Sequence, residues 1–99
     1  MPISVVHDLI VDIHALDREL QKFEEKYSIF SEDFYTLYES GRLRDEEVEE
    51  ADEYGRWAAL YTMRQRRKQR YEKDKSRLLA FDPDAERVAL TPPVRIEIA

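Results

Sequence analysis

Apolar residues in the first quarter of the chain follow a heptad pattern. From Pro2 to Tyr27 the sequence contains no glycine, and its only proline stands at the start, so nothing interrupts a helix there. Apolar residues recur at alternating steps of three and four, the spacing that forms the a/d seam of a helix in a coiled coil. This seam consists of Val6, Leu9, Ile13, Leu16, Leu20, Phe23 and Tyr27.

Two more helices are predicted after this segment. Ser31 has the character of an N-cap for a short amphipathic helix over 31–40, because acidic residues follow it in the first turn and Gly41 stands where a glycine commonly ends a helix. A long helix is predicted over about 45–80, a stretch without proline. We interpret Gly55, the only glycine inside it, as room for close packing or as a kink.

The end of the chain has a different pattern. Pro83 ends the long helix, because a proline ring cannot continue it. Residues 94–98 alternate apolar and polar side chains as a strand does, yet no partner strand is predicted in the sequence. We therefore expect a helical hairpin domain over 1–81 and an extended or disordered tail over 82–99, which could add a strand to a partner's sheet. The tail residues proposed for strand addition are Val94, Ile96 and Ile98.

These elements predict an all-α fold, a long antiparallel helical hairpin with a short connecting helix. Beyond Tyr61 the long helix offers mostly basic and polar residues to the apolar seam, so one chain is expected to leave several heptads of the seam exposed. Apolar surface left in water costs about 25 cal/mol per Å², which matters for a domain of marginal stability. A second copy of the chain would bury this exposed seam, and we therefore predict a homodimer or a larger oligomeric helical bundle.

The charge pattern of the long helix favours the same assembly. Residues 45–53 include seven acidic and no basic residues, whereas 64–77 include eight basic and two acidic residues. Two such helices laid antiparallel place acidic segments against basic ones at both ends. The residues predicted at the interface with a second copy or another partner are Val6, Leu9, Ile13, Leu16, Leu20, Trp57, Tyr61 and Tyr71.

Length, composition and net charge limit the class of protein. The chain has 99 residues, enough for one domain, and no cysteine, which excludes disulfides and thiolate metal ligands. It has neither an apolar run long enough to cross a membrane nor a secretory leader, so we expect a cytoplasmic protein without membrane contact. The net charge of -6 disfavours non-specific binding to nucleic acid.

The basic block at 64–77 keeps a nucleic-acid function open. Arginine and lysine bind phosphates, and Tyr71 in the block could stack on a base, as in arginine-rich RNA-binding helices. The simpler interpretation is a solvated face that also balances the acidic segment of the same helix. The residues that would contact RNA or DNA are Arg64, Arg66, Arg67, Lys68 and Arg70.

Signals for catalysis are weak. Glu46, Glu47 and Glu50 have the E-E-x-x-E spacing with which all-α nucleotide pyrophosphohydrolases hold magnesium, but the second carboxylate pair is missing because Lys75 stands where an acid is needed. A solvated acidic first turn is the favoured interpretation of these residues. The two histidines are seven residues apart, too far for one metal ion. We therefore expect no enzymatic activity, no metal and no cofactor.

Three short motifs stand in the helical part of the chain. Residues 23–27 match F-E-x-K-Y, residues 31–35 match S-x-x-F-Y, and residues 57–61 match W-A-x-L-Y. With these motifs the chain resembles a set of small prokaryotic helical proteins, many of which are found beside a small predicted toxin and are presumed to be antitoxin-like. The resemblance covers about residues 20–72, and the tail has no counterpart in the pattern. It implies a helical hairpin that binds a partner protein, and it does not imply an activity.

The preferred prediction is a non-catalytic protein–protein interaction module, with a second copy and a small toxin-like protein as candidate partners. Nucleic-acid binding through the basic helix and a magnesium-dependent pyrophosphohydrolase are the two alternatives. Aromatic residues at helical spacing are expected to form the core where the three helices meet, with some of them as partner contacts. These residues are Phe34, Tyr35, Tyr38, Tyr54, Trp57 and Tyr61.

Overall fold

The computed structural model describes residues 3–79 and Arg87, with the side chains of 5–75 and Arg87. Within these residues the chain forms three helices and no strand: α1 (Ile3–Tyr27), α2 (Ser31–Glu39) and α3 (Val48–Leu79). α1 packs mainly against α3, and the short α2 contacts both of them. The prediction of an all-helical fold is therefore confirmed for this part of the chain.

Ion pairs between α1 and α3 show that the two long helices run antiparallel. Lys26, near the end of α1, binds Glu53 near the start of α3, with 2.8 Å between Nζ and Oε1. Asp17 lies earlier in α1 and binds Arg64 further along α3, with 2.6 Å between Oδ1 and Nε. Residues earlier in α1 thus pair with residues later in α3, which is the arrangement of a helical hairpin.

The apolar seam of α1 is covered within a single chain. Four of its seven residues are buried, with exposed fractions of 8% for Val6, 6% for Leu9, 8% for Ile13 and 3% for Leu20. The other three seam residues are half-buried. The expectation that one chain leaves several heptads of this seam exposed is therefore wrong.

Several long polar side chains of α3, the helix against which α1 packs, are themselves partly buried. Arg64, Gln65, Arg67 and Lys68 are all half-buried. Their aliphatic stems can lie over apolar surface while the polar ends reach water or carboxylates, as Arg64 reaches Asp17. The seam therefore gives no reason for a second copy, and the homodimer or larger oligomer stays a prediction without its original basis.

An aromatic stack at Trp57 joins the three helices. The Trp57 side chain is 1% exposed, and its ring lies parallel to the ring of Phe34 in α2, with 3.7 Å between the centroids. Phe23 of α1 stacks on the same indole, with 5.4 Å between the centroids. Tyr38 is exposed. The aromatic core is confirmed for the other predicted members, which are Phe34, Tyr35, Tyr54, Trp57 and Tyr61.

The start of α2 differs from the prediction. Ser31 is the first residue of the helix rather than its N-cap, and Phe30 occupies the N-cap position without a side-chain hydrogen bond. The Ser31 hydroxyl instead accepts a hydrogen bond from Trp57 Nε1 at 2.9 Å. A buried partner in α3 has outweighed the local preference of serine for capping. Gly41, with a φ of 72°, follows the end of α2 as predicted.

α3 begins later than predicted and continues without interruption through Gly55. Residues 45–47 belong to the connector, where Arg44 binds Glu50 of the first turn of α3, with 2.9 Å between Nη2 and Oε1. A Cβ placed on Gly55 would meet no neighbouring atom within 4 Å. The interpretation of Gly55 as room for close packing is therefore wrong.

Some predictions fall outside the residues that the structure describes. They concern the boundary between the helical domain at 1–81 and the tail at 82–99, and the strand pattern of that tail. The residues proposed for strand addition that lie there are Val94, Ile96 and Ile98.

Replacing Gly55 by alanine should stabilise the protein. The helix has open space at this position, and alanine is favoured over glycine in a helix interior by about 1 kcal/mol, so the free energy of unfolding should rise by about that amount. Urea denaturation followed by circular dichroism measures it. The matched change Gly41→Ala should destabilise, because an L residue is strained at that positive φ. A loss of stability in Gly55→Ala would contradict this account.

Replacing Ser31 by alanine should destabilise the protein. It leaves the buried Trp57 N–H without its acceptor, which costs about 1–3 kcal/mol. Urea denaturation followed by the fluorescence of the single tryptophan measures the effect. Ser40→Ala is the control, because the Ser40 hydroxyl makes only an exposed bond to a backbone carbonyl and its loss should change stability by less than about 0.5 kcal/mol. Equal effects of the two changes would count against the assigned bond.

Candidate partner-binding surface

The connector between α1 and α2 places a phenylalanine in solvent. Ser28, the residue after α1, has a left-handed backbone conformation with a φ of 56°. The chain is then extended at Phe30, and neighbouring side chains in extended backbone point to opposite sides. Ile29 accordingly packs against the aromatic core, whereas the Phe30 side chain points outward and is 74% exposed.

Hydrogen bonds hold this connector in place. The backbone N–H of Ser31 donates to Glu24 Oε2 of α1 at 2.7 Å, so a side chain from the neighbouring helix caps α2. The Ser31 hydroxyl binds the buried Trp57 indole, and the backbone N–H of Phe34 donates to the Phe30 carbonyl at 3.0 Å. Phe30 is therefore presented by backbone that is anchored to both long helices.

Two clefts adjoin Phe30, and together with this side chain they form what is here called the Phe30 surface. The first cleft, between α1 and α2, has a volume of about 460 Å³, and the second, which reaches α3, has a volume of about 400 Å³. Gln21, Glu24 and Phe30 line both clefts. The first is also lined by Glu25, Ser28, Ile29 and Asp33, and the second by residues that include Asp17, Leu20, Glu32, Tyr61 and Arg64.

Carboxylates dominate the charge of the Phe30 surface. Arg64 is the only basic residue that lines the two clefts, and its guanidinium is bound by Asp17. Within residues 5–75, no ion pair involves Glu25, Glu32 or Asp33, and all three are exposed. The surface therefore combines one exposed aromatic ring with an unbalanced negative charge. Its carboxylates are those of Asp17, Glu24, Glu25, Glu32 and Asp33.

The basic block of α3 is used largely within the chain. Four of the five candidate nucleic-acid contacts form ion pairs, and only Arg66 has none among the residues that the structure describes. Tyr71, which was predicted to stack on a base or contact a partner, is half-buried and has the ammonium of Lys68 over its ring, 5.2 Å from the centroid. The pairs are Arg64 with Asp17, Arg67 with Asp12, Lys68 with Glu72, and Arg70 with Asp74.

The carboxylates considered for magnesium do not share a helix face. Glu46 and Glu47 precede the first residue of α3, and Glu50 in its first turn binds Arg44. Across the part of the chain that is described, no three histidine, aspartate or glutamate residues are grouped closely enough to hold a metal ion. The prediction that the long helix includes all three of these glutamates is therefore wrong.

Most residues predicted at a dimer or partner interface are inside the hairpin. Leu16 is half-buried, and the other predicted contacts on α1 are buried, as is Trp57 of α3. The buried contacts on α1 are Val6, Leu9, Ile13 and Leu20. Tyr61 stacks on Tyr35, with 5.0 Å between the centroids. The buried side chains become accessible only if α1 and α3 separate, whereas Phe30 is exposed in the closed hairpin.

The ion pair between Lys26 and Glu53, where α1 ends, shifts the pKa values of the groups around it. The hydrogen bond from Lys26 lowers the pKa of the Glu53 carboxyl, and the Tyr27 hydroxyl, which donates to Glu53 at 2.9 Å, adds to this effect. Burial, followed by the bond to Glu53, raises the pKa of Tyr27. Glu53 is therefore charged to lower pH than a free glutamate, and Tyr27 keeps its proton to higher pH than a free tyrosine.

The central residues of this surface were not predicted from the sequence. Phe30 falls between the predicted helices over 2–27 and 31–40, and Glu24 is not one of the seam residues of the first helix. One signal could have pointed to Phe30, since a large apolar residue stands directly before a helix start that is rich in acidic residues. No local signal identifies Glu24, because its bond to Ser31 depends on how α1 and α2 pack.

Comparison with protein-family models, with curated proteins and with solved structures found no match for this chain. Among residues 3–79, no helix has the length and apolar character needed to span a membrane. The function proposed for the protein therefore rests on its own geometry and charge.

Replacing Glu53 by glutamine should destabilise the protein in a pH-dependent way. The pKa of Glu53 in the folded state lies below its ordinary value of 4.5, so its ion pair contributes stability above that value and loses it as the pH falls through the folded-state pKa. The variant should be less stable than wild type at neutral pH, and the difference should shrink in acid. Urea denaturation at several pH values measures this.

Glu46→Gln is the control for this measurement. Glu46 is exposed in the connector and forms no ion pair within residues 5–75, so its neutralisation should leave the stability close to that of wild type. A stability difference between Glu53→Gln and wild type that stayed constant from neutral to acidic pH would show that the ion pair is not its cause.

Proposed function

We propose that the protein is a non-catalytic interaction module that binds a partner protein through the Phe30 surface. The observation that carries this proposal is the position of Phe30, a large aromatic side chain that is 74% exposed on a well-anchored connector. Aromatic residues are enriched among the side chains that dominate binding at protein interfaces. The two adjoining clefts give a partner's side chains places to pack.

The choice of phenylalanine at this position works against folding. Residue 30 is the N-cap of α2, where serine, threonine, aspartate or asparagine would add about 1 kcal/mol through a side-chain hydrogen bond. Phe30 makes no such bond and, at 74% exposure, buries little of its surface. A local preference broken without a gain in stability is expected at functional sites. The same surface could accept a small toxin-like protein, as the resemblance of the three motifs implies.

The basic helix supports a nucleic-acid function less well than Phe30 supports protein binding. Arg64 and Arg67, which were candidate phosphate contacts, are half-buried and bound to carboxylates of α1. A phosphate would have to compete with those carboxylates, and the remaining net charge of the chain is negative. Protein binding is therefore the function that the described geometry favours.

Replacing Phe30 by serine should separate binding from stability. The variant should be more stable than wild type by about 1 kcal/mol, because serine can cap α2, and it should lose the partner. Urea denaturation measures the first effect. Affinity purification of tagged protein from the native cell, with the bound proteins quantified by mass spectrometry, measures the second.

Val48→Ser is the matched control for this experiment. Val48 is also an exposed apolar residue, with an exposed fraction of 82%, but it lines neither cleft. A partner that binds through the Phe30 surface should be retained by Val48→Ser and lost by Phe30→Ser. If the two variants and the wild type retained the same proteins in the same amounts, the Phe30 surface would not be the binding site.

A further inference from the structure

We propose that the Phe30 surface binds a short cationic segment of the partner protein, which places an apolar side chain against Phe30 and basic side chains on the surrounding carboxylates. This inference rests on the proposed function and specifies the chemistry of the partner. It follows from the apolar centre of the surface, the sign of the charge around it, and its length.

The apolar centre is small. The exposed Phe30 ring and the half-buried Ile29 beside it are the large apolar side chains that line the first cleft. Glu24 and Gln21 flank them on α1. A patch of this size matches one or two apolar side chains of a partner, and it is smaller than the continuous stripe that a long amphipathic helix would need.

The charge around this centre lacks a counter-charge. Glu25 and Asp33 line the first cleft, Glu32 lines the second, and none of the three forms an ion pair within residues 5–75. The one guanidinium present, that of Arg64, is occupied by Asp17. Because unpaired carboxylates lie in both clefts beside Phe30, basic side chains are favoured on both sides of the apolar anchor.

The length of the surface limits the length of the segment. The residues of α1 that line the clefts run from Asp17 to Glu25, with Ser28 just beyond the end of the helix. At about 1.5 Å per residue this stretch is on the order of 16 Å long. An extended peptide covers that distance with about five residues, at roughly 3.3 Å per residue.

Other occupants fit less well. Nucleic acid would bring phosphates to a surface lined by carboxylates, which is unfavourable. A small polyamine would satisfy the charge, but it has no side chain to cover the exposed Phe30. A second copy of this chain would offer the basic block of α3, where Arg64, Arg67 and Lys68 already bind carboxylates of their own chain and Arg66 is the one candidate contact without an ion pair within residues 5–75.

The test measures binding of fluorescein-labelled peptides to the full chain by fluorescence anisotropy at low and at physiological salt. The probe is the peptide Lys-Arg-Leu-Leu-Arg-Lys, and two companion peptides replace either the leucines by serine or the basic residues by glutamate. The probe should bind, more weakly at the higher salt, and both companions should bind at least about tenfold more weakly. Unlabelled spermidine at the probe's concentration should not displace the probe.

Variants of the protein link this binding to the surface. Phe30→Ser should weaken binding of the probe by about thirtyfold, as expected for the loss of a central aromatic contact. The double change Glu25→Gln with Asp33→Asn should weaken it by about fivefold, since each exposed charge pair contributes modestly. The matched control, Glu39→Gln with Glu46→Gln, removes the same charge outside the clefts and should leave the affinity unchanged.

Several outcomes would overturn the inference. If the serine companion bound as tightly as the probe, or if spermidine displaced the probe, charge alone would explain the binding. Equal binding of the probe to both double variants would place the site elsewhere. Failure of the inference is distinguishable from failure of the proposed function. If binding of the native partner depends on Phe30 but not on Glu25 and Asp33, only the inference of a cationic segment is wrong. If Phe30→Ser leaves binding of the native partner unchanged, the proposed function is wrong.

Discussion

The Trp57 indole is the point on which the arrangement of the three helices depends. Its ring is parallel to that of Phe34 in α2, Phe23 of α1 stacks on it, and its N–H donates to Ser31 where α2 begins. A short helix such as α2 is not stable alone in water, so its position is set by this packing. The placement of Phe30 follows, because it directly precedes Ser31 and is tied to the same hydrogen bonds.

Electrostatic complementarity within the chain explains why the hairpin can close without a second copy. The basic half of α3 lies beside the acidic residues of α1, as in the pair of Arg64 with Asp17, and the acidic start of α3 meets Lys26. Most such pairs are partly exposed and contribute modestly to stability. They also fix geometry, because they tie long side chains of α3 to α1 at Asp17 and Asp12.

The sequence was informative where one periodic pattern extended over many residues. The heptad seam from Val6 to Tyr27 predicted α1, and the stretch without proline predicted α3, because both depend on local backbone preference and helical spacing. The N-cap assignment of Ser31 was wrong because the bond from Trp57 is a tertiary contact. The prediction of an exposed seam was wrong because a pattern of apolar and polar residues does not show how much of a long arginine or lysine side chain becomes buried.

The Phe30 surface could not be predicted for a related reason, since its charge depends on which carboxylates remain unpaired. By sequence Asp17, Glu25 and Asp33 are equivalent acidic residues, but folding pairs Asp17 with Arg64 and leaves the other two exposed beside an aromatic ring. Local capping preference is also broken at Phe30, whose side chain makes no capping hydrogen bond, while Glu24 of another helix accepts only from the backbone N–H of Ser31, the first residue of α2. The proposed contact with a partner therefore rests on a side chain that stays exposed and contributes no capping bond to its own fold.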